Sequence, residues 1–228
     1  MSMEISGRKA LVIGATGLVG SLLVHSLLQQ PEYGLVRILV RKRLDLDHPK
    51  LEQYVVDWDQ LGDAKNLFYP MDDLYCCLGT TIKKAGSQEN FRKVDLHYPI
   101  EAAKLANEQG VSQMLVISSM GANAGSGVFY SRTKGEMEEA LSSVGFRSLH
   151  IFRPSLILGD RGEKRVGEQL AARLMTFMDR WMKGKAAKYR AIHASTIARA
   201  MINIALVRAK GNHVYSNEVI HALGTENS

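Results

Sequence analysis

Tyr130 and Lys134 stand four residues apart at the start of a stretch with helical patterning, so both project from one helix face. A free phenol titrates near pH 10, and a neighbouring ammonium lowers that value by favouring the phenolate. Each pH unit corresponds to about 1.4 kcal/mol, so a shift of about two to three units is the electrostatic demand on the pair. Such a phenol is a proton donor for a reacting oxygen. Ser118 and Ser119 end the preceding β-like run, where a hydroxyl can hydrogen-bond a developing alkoxide. Ser119 is the expected partner. Alone, each pattern is common: Tyr-x-x-x-Lys recurs in helices, and strand-end serines often make turns or caps. What weights them here is the chain that precedes them.

Residues 14–20, Gly-Ala-Thr-Gly-Leu-Val-Gly, space three glycines by three, directly after an apolar run and directly before a helical one. One glycine permits the tight turn, the next lets backbone N–H groups approach a pyrophosphate, and the last allows close helix packing, while the helix N-terminus favours the anion. Gly14, Thr16, Gly17, Leu18, Val19 and Gly20 are therefore candidate dinucleotide contacts. At the end of the second run, where an acidic residue would bond the ribose hydroxyls of NAD, the chain has Arg41-Lys42-Arg43. A guanidinium grips a 2′-phosphate with two parallel hydrogen bonds, which favours NADP(H) over NAD(H). Asp57, ending the third run, is a candidate for the adenine amino group or simply an exposed strand-end aspartate. With a nicotinamide in place, the chemistry becomes hydride transfer to a carbonyl carbon, Tyr130 protonating the oxygen and Lys134 also holding the ribose.

The elements that must position these groups alternate. Strand-like runs fall at residues 9–13, 36–40, 53–56, 74–78, 113–118 and 148–152, and helical stretches at 18–30, 89–109 and 129–144. Alternation with long helical crossovers predicts an α/β fold with a doubly wound parallel sheet, its ligand site at the carboxyl ends of the strands. After Arg153-Pro154 the alternation stops. Helical patterns near 166–183 and 195–208 and a short segment at 213–215 predict a small, mostly helical C-terminal substrate-side subdomain. Without a linker or repeat, residues 1–228 are expected to pack as one unit, a core at 7–153 and the substrate-side part at 154–228.

The chain has 228 residues, 46% hydrophobic and 23% charged, which excludes disordered, collagen-like and disulfide-scaffold classes. Twenty-nine basic against 23 acidic residues leave a net charge of +6, compatible with anionic ligands. The basic residues are dispersed without an aromatic-interleaved stripe, so no nucleic-acid partner is expected. No apolar run is long enough to span a membrane, and residues 1–8 lack a secretory pattern, so the expected compartment is the cytoplasm. Cys76 and Cys77 are adjacent within an apolar run and read as buried thiols. Seven histidines lie without metal-ligand spacing, and no metal is expected. Met175, Phe177, Met178, Trp181 and Met182 read as core or a subunit contact, and 161–165 as a mobile basic loop.

The order of glycine loop, basic strand end, serine pair, tyrosine and lysine resembles the short-chain dehydrogenase/reductase superfamily in its atypical form, with its Rossmann fold. Residues 76–81 (Cys-Cys-Leu-Gly-Thr-Thr), 84–87 (Lys-Ala-Gly-Ser), 91–95 (Phe-Arg-Lys-Val-Asp), 152–154 (Phe-Arg-Pro) and 159–161 (Gly-Asp-Arg) are similar to the Tat-interacting protein oxidoreductase-like branch, over about residues 9–223. The resemblance implies Thr16, Gly17, Leu18 and Val19 around the pyrophosphate, Arg41 and Lys42 at the 2′-phosphate, and Leu78 and Gly79 along the adenosine. It implies Tyr130 and Lys134 as the active-site pair, Ile157 facing the nicotinamide and Arg165 reaching back to the cofactor. Ser118 and Pro154 are counted among the cofactor-contacting positions. Leu18 departs from the polar residue common there, which matters little where the backbone binds, and the N-terminus before the first run is short. The expectation is an NADPH-dependent reductase of a small carbonyl substrate, monomeric or dimeric. The other class the resemblance permits is a non-catalytic NADP(H)-binding regulator acting through a protein partner, against which the intact Tyr130 and Lys134 argue.

Overall fold

A computed structural model describes residues 7–159 and 190–225. Its order is β1 (Arg8–Ile13), α1 (Leu18–Gln29), β2 (Tyr33–Val40), β3 (Leu51–Val55), a 3-10 helix (Trp58–Phe68), β4 (Asp73–Cys76), α2 (Ile82–Ala85) and α3 (Gln88–Arg92). A π-helical turn (Lys93–His97) leads into α4 (Tyr98–Glu108), followed by β5 (Gln113–Ile117), α5 (Phe129–Ser142), β6 (Ser148–Phe152) and β7 (Ile157–Leu158). After the undescribed stretch come β8 (Ile192–His193), α6 (Ala194–Val207), β9 (Gly211–Tyr215) and α7 (Asn217–Thr225).

Seven strands form one sheet in the order β3-β2-β1-β4-β5-β6-β9, every pairing parallel. Strands covered on both faces read as near-continuous apolar runs, as residues 10–13 do and 35–40 do apart from Arg37, whose guanidinium is held by Glu52 and by the Leu67 and Tyr69 carbonyls. Alternate side chains sort to the two faces. Ala10 and Val12 of β1 join one core with Leu23 and Leu27 of α1 and Ile197, Met201 and Ala205 of α6. Leu11 and Ile13 join the other with Leu61, Ala102, Ala106, Met137 and Leu141. The chain leaves β1 towards β2 on one side and returns to β4 on the other, so the order reverses between β1 and β4 and a crevice opens at their carboxyl ends.

The doubly wound parallel sheet is the expected fold. Within it, the C-terminal residues divide differently from the reading of a wholly substrate-side part. α6 buries eight residues, packs with α1 in the main core, and leads to β9, which extends the sheet beside β6. The physical reason is the apolar stripe of α6, which needs a sheet face as wide as the one α1 covers. Only the β7–β8 ribbon stands apart from the main sheet among the described residues. The helix read over 89–109 is interrupted by the π turn, where one extra residue per turn rotates the face that meets the core. The expected helix at 166–183 and its Met-Phe-Trp cluster lie outside the described residues.

Candidate active site

The carboxyl rim begins with the glycine loop. Gly14 has φ +81°, and a Cβ there would lie 2.5 Å from the Cys77 carbonyl, so the loops after β1 and β4 cross in backbone contact. α1 then starts at Gly17 with no side-chain cap and no acidic residue in its first turn, while Thr16 and Gly17 are exposed. The helix dipole and the unpaired first-turn N–H groups thus face the open rim, the donor set that suits a pyrophosphate. Leu18 points elsewhere: a Cβ on Gly159 would lie 2.7 Å from its Cδ1, so the apolar side chain packs on the chain after β7. That contact explains a leucine where the backbone does the binding.

Arg41 and Lys42 are exposed immediately after β2, on the rim beside the loop. Asp57 is exposed as well, and its carboxylate accepts the Asp59 N–H at 2.9 Å as the cap of the 3-10 helix, the bland alternative to an adenine contact. Leu78 is half-buried and Gly79 exposed in the loop after β4. Pro154 is buried and its carbonyl accepts the Met120 N–H at 2.9 Å, tying the loops after β5 and β6 together. Ile157 is half-buried and pairs with Ile192 in the ribbon. Asn217, buried on α7, accepts from the Ser155 N–H and donates to the Arg190 carbonyl, bracing the same corner. Arg165 lies outside the described residues.

Tyr130 and Lys134 occupy the first two turns of α5, as their spacing requires. Tyr130 is 37% exposed, with its ring centroid 5.7 Å from Phe91. Lys134 is buried, and its Nζ lies 2.7 Å from Oδ1 of Asp95, a buried carboxylate of the π turn. The second oxygen of Asp95 accepts the Thr80 N–H at 2.8 Å. Burial by itself pulls the Lys134 ammonium down, but the charges of Asp95 and Tyr130 hold it above the ordinary lysine value. Sequence reasoning missed Asp95, although its string was quoted for its resemblance. The available signal was a carboxylate four residues after Phe91, on the buried stripe of a helix.

The two serines separate. Ser118 is buried and donates its hydroxyl to Glu138 of α5, which also accepts from Arg153 Nε at 3.0 Å. Its side chain thus ties α5 to the end of β5. Ser119 is half-buried, and among the described residues its hydroxyl has one contact, at 3.4 Å to the Met120 carbonyl. Cys76 is buried, and burial pushes its thiol up to about 11; Cys77 is half-buried and its thiol is pushed up in the same way. Among the described residues no group of three His, Cys, Asp or Glu is placed to hold a metal ion, and no helix is long and apolar enough to cross a membrane.

Residues 14–205 match the family of NAD(P)H-binding proteins. The rat protein HTATIP2 is 32% identical over 228 residues, covering 98% of this chain and 92% of its own. The FMP52 protein of Candida albicans is 32% identical over 202 residues, covering 85% and 86%. Among solved structures, MoeE5 in complex with UDP-glucuronic acid and NAD superposes with a TM-score of 0.69 at 20% identity, covering 90% of this chain and 75% of MoeE5. The fungal relative is named mitochondrial, as are its counterparts in Aspergillus terreus and Aspergillus fumigatus. That overturns the expected cytoplasmic location. A pattern that is not found does not choose a compartment.

Proposed function

Because this chain belongs to the NAD(P)H-binding family, we propose that it is an NADP(H)-preferring reductase of a carbonyl-type substrate, with Tyr130 as the proton donor. The observation that carries the reading is the exposed Tyr130 phenol beside the buried, charged Lys134, on the same rim as the uncapped start of α1. What a bound dinucleotide supplies is a hydride for the carbonyl carbon.

The remaining work falls to backbone and side-chain groups of this chain. Thr16, Gly17 and the first turn of α1 hold the pyrophosphate, and Arg41 with Lys42 grips a 2′-phosphate. Ser119 donates a hydrogen bond to the carbonyl oxygen, polarising it and stabilising the alkoxide that forms. Tyr130 gives that oxygen its proton, and the Lys134 ammonium stabilises the phenolate left behind. Gly79, Pro154 and Ile157 wall the crevice.

NADPH consumption against a panel of aldehydes, ketones and quinones tests this, with wild type and Tyr130→Phe side by side and NADPH affinity measured for both. Turnover in the wild type, reduced about 10²- to 10⁴-fold in the variant with affinity within about twofold, is the expected result. Tight NADPH binding with no turnover on any substrate would move the reading to an NADP(H)-binding regulator.

A further inference from the structure

The ammonium expected to acidify Tyr130 already has a carboxylate of its own. Lys134 Nζ and Asp95 Oδ1 are 2.7 Å apart, and both side chains are almost wholly buried, at 4% and 1% exposure. A buried cation is tolerated only with a well-placed counter-charge, because its lost hydration is large. Asp95 cannot easily turn away, since its other oxygen is held by the Thr80 N–H from the loop after β4. The ionisable groups acting on Lys134 are Asp95 from the π turn, Tyr130 from its own helix and Cys76 from β4. Of these only Asp95 supplies a buried negative charge in direct contact.

We infer that Asp95 is the counter-ion that keeps both protons, the phenolic and the ammonium one, on the Tyr130–Lys134 pair, making it a positioning residue that sets the site to give a proton rather than take one. Electrostatics supplies the direction. With the carboxylate present, the positive charge of Lys134 is offset at Tyr130, and the phenol keeps the proton that a donor must carry. Without it, the buried ammonium lacks an anion, and two relaxations are open. Either Lys134 loses its proton, or Tyr130 loses its own and becomes the missing anion. Both remove a proton from the pair, so its first macroscopic titration must move to lower pH whichever group responds. Lys134 is held above its ordinary value in the intact arrangement, in keeping with this. The bias towards reduction rests on the proposed reductase reading, whereas the retention of the two protons does not.

The test is a pH titration by NMR of the full chain carrying 13Cζ-tyrosine and 13Cε-lysine, with the Tyr130 and Lys134 signals assigned through Tyr130→Phe and Lys134→Arg. In Asp95→Asn the first proton is expected to leave the pair at a pH lower by about one unit or more, and Asp95→Glu should restore the wild-type titration. An unchanged titration in Asp95→Asn would overturn the inference. If that variant does not fold, the wild type still decides: a Lys134 signal protonated through about pH 10 supports it, and one that titrates below that sinks it. A shifted titration in a protein that turns over no substrate leaves the inference standing while the reductase reading fails. In an active protein, the pH at which reductive kcat declines should move by the same amount as the NMR titration.

Discussion

Two buried carboxylates lie near opposite ends of β4, and they are put to different uses. Asp73 opens the strand and is closed in by four donors: Arg8 through two guanidinium nitrogens, the Tyr33 hydroxyl at 2.6 Å and the Gln113 amide at 2.8 Å. Tyr33 in turn shares a hydrogen bond of 2.8 Å with Tyr75, and burial pushes both phenols far above their ordinary values. Burial also raises Asp73 itself, despite its partners. The network joins the amino ends of β1, β2, β4 and β5, opposite the carboxyl rim, so it serves the fold, pinning the four strands together. Among the described residues Asp95 pairs with Lys134 and the Thr80 N–H alone, and the next group outward is a phenol that solvent reaches. A buried ion pair is thus structural or chemical according to what adjoins it, and the pair alone does not say which.

The comparison breaks most visibly at Asp73. Asp73→Ala strands a guanidinium and two phenols, and about 3 to 5 kcal/mol of stability should be lost in chemical denaturation, with the titration of Tyr130 unmoved in the protein that remains folded. A shifted Tyr130 titration would mean that the two ends of the strand are coupled.

A smaller effect sharpens the scaffold side. His150 faces the same side of the sheet as Gln113, is fully buried, stacks on His213 at 5.2 Å and shares a hydrogen bond of 3.0 Å with the Tyr215 hydroxyl, while its Nε2 finds no partner among the described residues. Burial and the charge of His213 push it down to about 4. Between about pH 6.5 and 4 the unfolded chain therefore binds a proton that the folded chain refuses. Stability should be intact above that window and fall through it by about 3 kcal/mol on acidification, and His150→Gln should flatten this slope in denaturation measured at several pH values.

The smallest effect belongs to the rim. Arg41→Ala should weaken NADPH binding about tenfold, leave NADH binding and stability unchanged, and be readable by fluorescence titration with both cofactors. Equal weakening of both cofactors would sink the assignment of Arg41 to a 2′-phosphate.

Most of the frame was legible because its signals are local. The glycine spacing, the two periods of hydrophobicity and the Tyr130–Lys134 interval depend on neighbours a few residues away, and strands such as Ser148–Phe152 fall where their apolar runs are. The basic residues after β2 were legible for the same reason. What could not be read was each choice made by a distant partner. Ser118 and Ser119 are adjacent and chemically identical, and only Glu138, arriving on α5, distinguishes them by engaging the Ser118 hydroxyl. The helix Ala194–Val207 has a stripe that the sequence shows but a destination, beside α1, that it does not.

By itself, then, the chain of residues determined the class of sheet, the edge on which a ligand must sit, and the residue types available there, because backbone geometry and side-chain alternation follow from short-range rules. Tertiary structure alone decided that Lys134 is buried against Asp95, thirty-nine residues earlier and on another helix. The charge that Tyr130 meets is a sum over groups brought together by packing, and such a sum cannot be formed until the distances exist.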